Sequence, residues 1–259
     1  MTKLKREIQE YWNNFPQGSL RVKNVKLCSK EFFLTYQLHR YQVEPHIPRI
    51  AEFGKYKGKK VLEVGCGVGI DLIQFAKWKA EVIGIDISKR SITCARKGLK
   101  LFNLAGETVV ADAENLPFRN SVFDHVYSYG VLHHTPNTEN AINEIHRVLK
   151  KGGTFTIMLY AKWSITFLYI LLRFGLLKLE LLHKSIEQLI SDHMEDAGYT
   201  PLAKLYTKKQ IIKMFKDFKI LSLEKLHIPR RYPFLAKILI PLQHVLGFYF
   251  IIKGLKIEG

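Results

Sequence analysis

The sequence predicts an α/β fold built on a largely parallel sheet with helices on both faces. Residues 59–160 alternate short apolar runs with helical patterns, which is typical of strands joined by crossover helices. The chain has 259 residues, enough for one large domain or two small ones. Its composition, with 47% hydrophobic and 24% charged residues, excludes wholesale disorder and fibrous architectures.

The central part is expected to supply five buried strands and the helices between them. The predicted strands are Val61–Val64, Glu81–Ile85, Thr108–Val110, Phe123–Ser128 and Thr154–Tyr160. The predicted helices are Ile70–Trp78, Ser88–Leu101 and Thr138–Leu149. We therefore place the structural core in this part of the chain.

The flanks have different patterns. Residues 1–58 are predicted to form a helical cap, and residues 59–259 the main domain, in which 161–210 is a long helical insertion. Two further strands, Ile220–Ile228 and Phe248–Leu255, are expected to pair antiparallel at the sheet edge. A proline-rich helical segment, Arg230–Leu246, separates them.

The net charge of +17 is concentrated in the two flanks. Residues 1–60 contain 13 Lys/Arg and 5 Asp/Glu, residues 61–160 contain 11 and 10, and residues 161–259 contain 16 and 8. Basic flanks attract nucleic acid, anionic lipid or an acidic small molecule, although a lysine-rich solvated surface explains them equally well. With no secretory signal and no apolar run of membrane-spanning length, we expect a cytoplasmic protein, with peripheral membrane contact through the basic flanks and residues 163–182 as an open alternative.

The three cysteines, Cys28, Cys66 and Cys94, form an odd set without a CxxC pair. This pattern argues against a disulfide scaffold and against a cysteine-built zinc site, and it fits a reducing compartment. No metal site is expected.

A glycine-rich turn after the first predicted strand carries the strongest functional signal. The motif Gly65-x-Gly67-x-Gly69 is not the GxGxxG dinucleotide fingerprint, and it lacks the Gly-Lys-Ser/Thr of a phosphate loop. Glu63, two residues before it, would repel a pyrophosphate but suits a ligand with cationic groups. S-adenosylmethionine, with an ammonium and a sulfonium, is such a ligand.

Two acids follow at the next strand ends. Asp86 comes about 20 residues after the glycine turn, the offset of a carboxylate that accepts hydrogen bonds from ribose hydroxyls. Asp112 follows the third strand, where it can accept a hydrogen bond from an adenine amino group. As alternatives, Asp86 caps the next helix and Asp112 is a turn residue.

These stretches resemble class I S-adenosylmethionine-dependent methyltransferases, within the group that includes the ubiquinone/menaquinone-pathway enzymes. The resemblance covers roughly residues 40–160. It is carried by Val61–Asp71, Gly84–Ser88, Ala111–Phe118, Phe123–Pro136 and Glu144–Gly153.

The resemblance implies a Rossmann-like seven-stranded sheet of order 3-2-1-4-5-7-6 with strand 7 antiparallel. It also implies that the three glycines frame the methionine moiety, that Ile87 lies beside the adenine, and that the backbone of Ala113 meets a ring nitrogen. The N-terminal helices would form a lid from which Tyr41 reaches the methionine carboxylate, unless Tyr41 is a core aromatic. The other cofactor-binding residues expected in these stretches are Cys66, Glu114 and Ser128.

Two histidines, His133 and His134, follow the fourth strand, where a methyl acceptor should approach. A neutral imidazole there can take a proton from the acceptor near neutral pH. Alternatively, one of them packs against the cofactor or caps the turn after it. Since adjacent residues at a strand end point to opposite sides, we expect only one of the two side chains to face the cofactor.

We therefore predict a methyltransferase acting on a small hydrophobic or aromatic acceptor, at oxygen, sulfur or carbon. An RNA methyltransferase and a non-catalytic S-adenosylmethionine-binding protein remain alternatives, although no RNA-binding module is recognisable. Residues 163–182 line a substrate pocket, lie on a membrane surface or pack against the sheet, and burial is the expected outcome. The sequence does not indicate an oligomeric state.

Overall fold

The computed structural model describes residues 1–22, 24–193, 198–228 and 239–257. Its centre is a seven-stranded sheet of order β3-β2-β1-β4-β5-β7-β6. The strands are β1 (Lys60–Val64), β2 (Glu81–Asp86), β3 (Glu107–Val110), β4 (Phe123–Tyr129), β5 (Leu149–Tyr160), β6 (Phe218–Leu226) and β7 (Tyr249–Lys256). Strands β1 to β5 pair in parallel, and β7 is antiparallel to both β5 and β6. The predicted strand order is confirmed.

Helices precede, connect and follow the strands. They are α1 (Lys3–Asn14), α2 (Lys30–Val43), α3 (Ile47–Ala51), α4 (Ile70–Lys77), α5 (Lys89–Leu101), α6 (Thr138–Val148), α7 (Ile165–Ile170), α8 (Ile186–His193), α9 (Lys208–Met214) and α10 (Gln243–Leu246). Most begin where a short polar side chain accepts a hydrogen bond from a first-turn amide. These caps are Thr2, Ser29, Ser88, Asn137, Ser164 and Thr207.

The sheet is buried on both faces. One face packs under α2, α4 and α5, with Phe33 and Phe75 in its core. The other packs under α6 and α9, with Ile145 and Phe215 in its core. The edge strands differ: β3 was expected to be buried, but it forms the end of the sheet and leaves Val110 exposed.

Most strand boundaries differ from the sequence prediction by one or two residues, and β5 and β6 differ in ways that have a structural reason. Strand β5 begins at Leu149, immediately after α6, because Leu149 pairs with Phe123 before the parallel register shifts. Strand β6 ends at Leu226, two residues early, and His227 then takes a positive φ of 67°. Of the predicted helical segment 230–246, residues 230–238 lie outside the described residues, and 240–246 are helical.

The insertion is not one continuous helix. Helix α7 continues into a π-helical turn, Leu171–Leu176. The helical conformation is interrupted at Leu179, whose φ is 57°. A short 3-10 turn, Glu180–Leu182, follows before α8. Among the described residues, every helix is too short or too polar to span a bilayer.

One pair of cysteines is joined. Cys28 and Cys94 form a disulfide with a Cα–Cα distance of 5.2 Å, which ties the segment after α1 to α5. The expectation against disulfide bonding was therefore wrong for this pair. The two cysteines are 66 residues apart in sequence, and the sequence does not reveal that the fold brings them together. Cys66 is free and buried.

Candidate active site

The glycine-rich bend connects the carboxyl end of β1 to α4. Gly65, Gly67 and Gly69 have φ values of 74°, 52° and 89°, a region that favours glycine. A Cβ on Gly65 would lie 2.2 Å from a methyl carbon of Val131, whereas a Cβ on Gly67 would meet nothing nearer than the Gln17 amide oxygen at 3.1 Å. Gly65 is therefore needed for packing, while Gly67 keeps the backbone bare towards a ligand.

Asp86 ends β2 beside this bend. Its two carboxylate oxygens accept hydrogen bonds from the amide of Gly67 at 2.9 Å and from the amide of Ser88 at 2.8 Å. Burial raises the pKa of Asp86 to about 6, against the opposing effect of those two amides. The two amides fix the orientation of the Asp86 carboxylate, while burial disfavours its ionised form. Further hydrogen-bond donors, such as those of a ligand, would stabilise the ionised form.

Asp112 and Glu114 follow β3 and bind a lysine of α1. Lys5 Nζ lies 2.5 Å from Asp112 and 2.6 Å from Glu114. Partial burial lowers the pKa of Lys5, but the hydrogen bonds and charges of the two carboxylates outweigh it and raise that pKa. Glu114 also accepts a hydrogen bond from the amide of Asn137 at 2.6 Å. Asp112, the predicted adenine partner, thus already holds a nitrogen cation.

A buried charged network lies against the bend. Arg40 donates to Asp71 at 2.8 Å, and the hydroxyl of Tyr41 donates to the same carboxylate at 2.9 Å. Glu63 is buried, and its Oε2 has no hydrogen-bond partner among the described residues. Burial, reinforced by the negative charge of Asp71, raises the pKa of Glu63 well above its usual range. An unpaired buried carboxylate oxygen is suited to receiving a cation.

A cleft opens above the bend, between α1 and the carboxyl ends of β1 to β4. It contains about 810 Å³ of empty space, including its opening to solvent. Predicted site residues that line it are Gly65, Gly67, Asp86, Ile87, Asp112, Ala113 and His134. Those that lie outside its lining are Tyr41, Glu63, Cys66, Gly69, Glu114, Ser128 and His133.

Helix α1 covers this cleft. Lys5, Ile8 and Trp12 line it, and the Gln9 amide donates to the carbonyl of Ile87 at 2.8 Å. The Ser88 hydroxyl donates to Asn13 Oδ1 at 2.9 Å. None of these α1 residues was named as part of the site in the sequence analysis. The helical spacing predicted α1 but not where it docks.

The two histidines have different environments. His133 is fully buried, neither ring nitrogen has a partner among the described residues, and its ring stacks on Tyr160 at 3.6 Å. Burial holds the pKa of His133 well below its usual range. His134 faces the cleft, and its Nδ1 lies 2.6 Å from the carbonyl oxygen of Leu202. Because a carbonyl only accepts, Nδ1 carries a proton, and in the neutral ring Nε2 has the lone pair.

A second polar group lies beyond the cleft wall, around Tyr129, which ends β4 and lines the cleft. The Tyr129 hydroxyl donates to Glu44 at 2.9 Å and lies 2.8 Å from His46 Nε2. Burial lowers the pKa of His46 to about 4, so its imidazole is neutral at physiological pH. Together with His227, Glu44 and His46 place three ligand atoms within 4.8 Å of one another, with Tyr129 bonded to two of them. Sequence reasoning missed this cluster, since its members lie in three separate elements.

Comparison with known proteins matches the centre of the chain. Residues 62–157 match the family model described as a methyltransferase domain. Cycloartenol-C-24-methyltransferase 1 of Oryza sativa subsp. japonica is 35% identical over 118 residues, which is 44% of this chain and 33% of that protein. Sterol 24-C-methyltransferase of Saccharomyces cerevisiae is 34% identical over 116 residues, which is 44% of this chain and 30% of that protein. The chain spans about a third of the length of the curated relatives it matches.

The whole fold is also similar to that of a solved methyltransferase. Magnesium protoporphyrin IX methyltransferase from Synechocystis, solved with bound S-adenosylmethionine, has a TM-score of 0.62 and 15% sequence identity, covering 99% of this chain and 98% of that one. The chain thus has the Rossmann-like fold of that methyltransferase, and its residues 62–157 match the methyltransferase-domain model.

Proposed function

We propose that this chain, which carries a methyltransferase domain of the class I fold, is an S-adenosylmethionine-dependent methyltransferase acting on a small hydrophobic acceptor. One observation carries the proposal: a bare glycine bend and two acids, Asp86 and Asp112, converge on a single cleft. S-adenosylmethionine is the cofactor. When bound, it supplies an electrophilic methyl group on a cationic sulfur.

The residues present fit that cofactor. The unpaired Oε2 of Glu63 suits the methionine ammonium, and Gly67 leaves room for close backbone approach. Asp86 would accept hydrogen bonds from the ribose hydroxyls, and Ile87 would pack beside the adenine. Cys66, Gly69 and Ser128 would support this bend from behind, and Glu114 would hold Lys5.

Lys5 and the adenine amino group need the same acceptor. In the structure Lys5 Nζ bonds both Asp112 and Glu114. Cofactor entry therefore requires Lys5 to leave Asp112, and Glu114 remains available as its partner. Helix α1 then serves as a cover that excludes water from the cleft. Positioning of this kind contributes roughly 7–11 kcal/mol to barrier reduction in well-oriented reactions.

A proton must leave whenever the acceptor atom loses a hydrogen. His134 is our candidate base, because it lines the cleft and its Nδ1 is held by the carbonyl of Leu202, which places the lone pair of the neutral ring on Nε2. His133 is buried against Tyr160 and is assigned a packing role. Tyr41 is likewise assigned to the Asp71 network rather than to the methionine carboxylate.

The acceptor is proposed to be hydrophobic because the relatives are named as sterol carbon methyltransferases. They, rather than ubiquinone-pathway enzymes, supply the similarity reported above, so methylation at carbon is the first reaction to test. The family model matches residues 62–157, and each of the two relatives covers 44% of the chain. We assign the choice of acceptor to the N-terminal cap and to residues 161–210, which lie outside the matched domain.

Calorimetry with S-adenosylmethionine tests the proposal. We expect binding by the wild type and its loss in Asp86→Ala. Asp124→Asn is the matched control, because Asp124 is a carboxylate at the opposite end of the sheet that accepts from the Lys60 amide at 2.8 Å. Absence of binding by the wild type would overturn the proposal.

A transfer screen with labelled cofactor then separates the remaining possibilities. Alkenes such as sterols, together with quinols, phenols, thiols, fatty acids and tRNA, would be offered as acceptors. Labelling of a hydrophobic small molecule supports the proposal, and labelling of tRNA alone would make the chain an RNA methyltransferase. Binding without transfer to any acceptor would favour a non-catalytic cofactor-binding protein.

A further inference from the structure

The insertion presents six exposed leucines within residues 168–182. We call this set the leucine face: Leu168, Leu172, Leu176, Leu177, Leu179 and Leu182. Leu177 is 82% exposed and Leu182 is 71% exposed, values unusual for aliphatic side chains in a folded domain. Burial against the sheet, which the sequence analysis expected for this segment, is therefore wrong for these six residues.

The leucine face exists because the same segment already has a buried side. Phe167 and Ile170 pack against Ile190 and Ala203 in a small core of the insertion. Leu168, Leu172 and Leu176 recur at four-residue spacing on the other side. An apolar stripe opposite a satisfied core has no internal partner among the described residues.

Positive charges border the leucine face. Arg173 lies 5.6 Å above the ring of Phe174, and Lys178 lies 5.0 Å above the same ring. Residues 162–186 contain four Lys/Arg and one acid, Glu180. Glu180 lies 3.0 Å from both Lys184 and His193, so its charge is already compensated. The border of the face is therefore cationic.

A second exposed apolar segment adjoins the first. Lys225 Nζ donates to the carbonyls of both Trp163 and Val245, which brings the start of the insertion next to α10. Trp163 is 61% exposed and Val245 is 55% exposed. Lys162 lies 5.7 Å above the Trp163 ring. A tryptophan flanked by lysine suits the boundary between headgroups and acyl chains.

The insertion is attached to the wall of the cleft. The amide of Lys204 donates to the carbonyl of His133 at 3.0 Å, and His134 Nδ1 bonds Leu202 at 2.6 Å. The rings of Tyr199 and Tyr11 meet at 6.3 Å, which joins the insertion to the covering helix α1. These contacts join the insertion directly to the wall of the cleft, where the acceptor should enter.

We propose that the leucine face, with its border of Lys162, Arg173 and Lys178, binds the surface of an anionic lipid bilayer. Charge complementarity selects this occupant, since aliphatic side chains bordered by cations match acyl chains beneath anionic headgroups. The chain lies on the bilayer rather than across it. That the bilayer delivers the acceptor rests on the proposed function, because a hydrophobic acceptor would be dissolved there.

Vesicle co-sedimentation of the full chain tests the proposal. The probes are phosphatidylcholine vesicles with and without phosphatidylglycerol, over a series of salt concentrations. We expect binding to the anionic vesicles that weakens as salt rises. Leu176→Glu with Leu177→Glu should lower the partition coefficient roughly tenfold or more. The matched control is Leu34→Glu with Leu38→Glu, two exposed leucines on α2, which should bind as the wild type does.

A charge variant separates the two parts of the surface. Arg173→Gln with Lys178→Gln should lose most of the preference for anionic vesicles, whereas Lys97→Gln with Lys100→Gln on α5 should keep it. Failure of the wild type to sediment with anionic vesicles, or equal losses in test and control pairs, would overturn the proposal. The proposal would also be overturned if light scattering showed a dimer that the leucine substitutions dissociate, while the wild type bound no vesicles.

S-adenosylhomocysteine calorimetry on the same variants distinguishes this inference from the proposed function. If the wild type binds S-adenosylhomocysteine but not vesicles, the membrane proposal is wrong and the proposed function is unaffected. If it binds vesicles but not S-adenosylhomocysteine, the proposed function is wrong and the membrane proposal is unaffected. Retained nucleoside binding in the leucine variants also shows that they are folded.

Discussion

The affinity for the cofactor should depend on pH through Asp86. Burial raises the pKa of this carboxyl from 3.8 to about 6 in the cofactor-free protein. Ribose hydroxyls donate to the ionised form, so binding should favour ionisation and lower that pKa. Affinity is then expected to be constant well above pH 6 and to fall about tenfold per pH unit well below it.

The magnitude follows from the fraction ionised. With a pKa of about 6, roughly a tenth of Asp86 is ionised at pH 5, so the association constant should be roughly tenfold lower at pH 5 than near pH 7. Replacement by asparagine should weaken binding at neutral pH roughly tenfold or more, because a charged acceptor is lost. Titration calorimetry with S-adenosylhomocysteine at pH 5, 6 and 7 measures both effects.

The stability of the cofactor-free protein should change in the opposite direction. The folded pKa lies above the unfolded one, so ionisation of Asp86 opposes folding. Its contribution is fully present below pH 3.8 and is lost as pH rises through about 6, a difference of about 3 kcal/mol. An association constant that is flat from pH 5 to 7, or that falls equally in Asp86→Asn, would refute this reasoning. Glu63→Gln in the same series separates any contribution of the second buried carboxyl.

Four further changes have expected outcomes. Arg40→Met leaves Asp71 as a buried anion with only hydroxyl donors, so urea unfolding should show a loss of about 3–5 kcal/mol, and a loss under about 1 kcal/mol would contradict the network. Gly65→Ala forces a Cβ into a valine side chain at a φ of 74°, and should cost about 2 kcal/mol or more in the same assay and abolish cofactor binding. Lys5→Met frees the carboxylates of the cleft, so calorimetry should show roughly twofold to fivefold tighter cofactor binding; weaker binding would mean that the lysine assists the cofactor. His134→Ala should keep cofactor affinity and slow methyl transfer roughly a hundredfold, and unchanged turnover would remove its role as base.

The central sheet could be predicted from sequence because each of its strands is a short apolar run bounded by turn residues. Val61–Val64 is buried throughout and Phe123–Ser128 is buried except at Asp124, and such apolar runs have few other structures available. The glycine bend could also be predicted, since a positive φ at Gly65, Gly67 and Gly69 is a backbone conformation that favours glycine, and the three glycines are visible in the sequence.

Contacts between distant segments were not predictable in this way. Lys5 is one of many lysines in a basic flank, and nothing local marks it as the residue that meets Asp112. The leucines of the insertion illustrate a second limit. Periodicity separates two sides of a helix but does not tell which side packs inward, and here Phe167 does so while Leu168 does not.

The bond between Cys28 and Cys94 closes a covalent ring that contains the second part of the cap and strands β1 and β2. A ring of this length removes roughly 4 kcal/mol of chain entropy from the unfolded ensemble. Helix α1 lies outside the ring and hangs from it by the residues between Asn14 and Cys28. The residues between Asn14 and Cys28 limit how far α1 can lie from the ring, so the helix stays at a high local concentration beside the cleft that it lines.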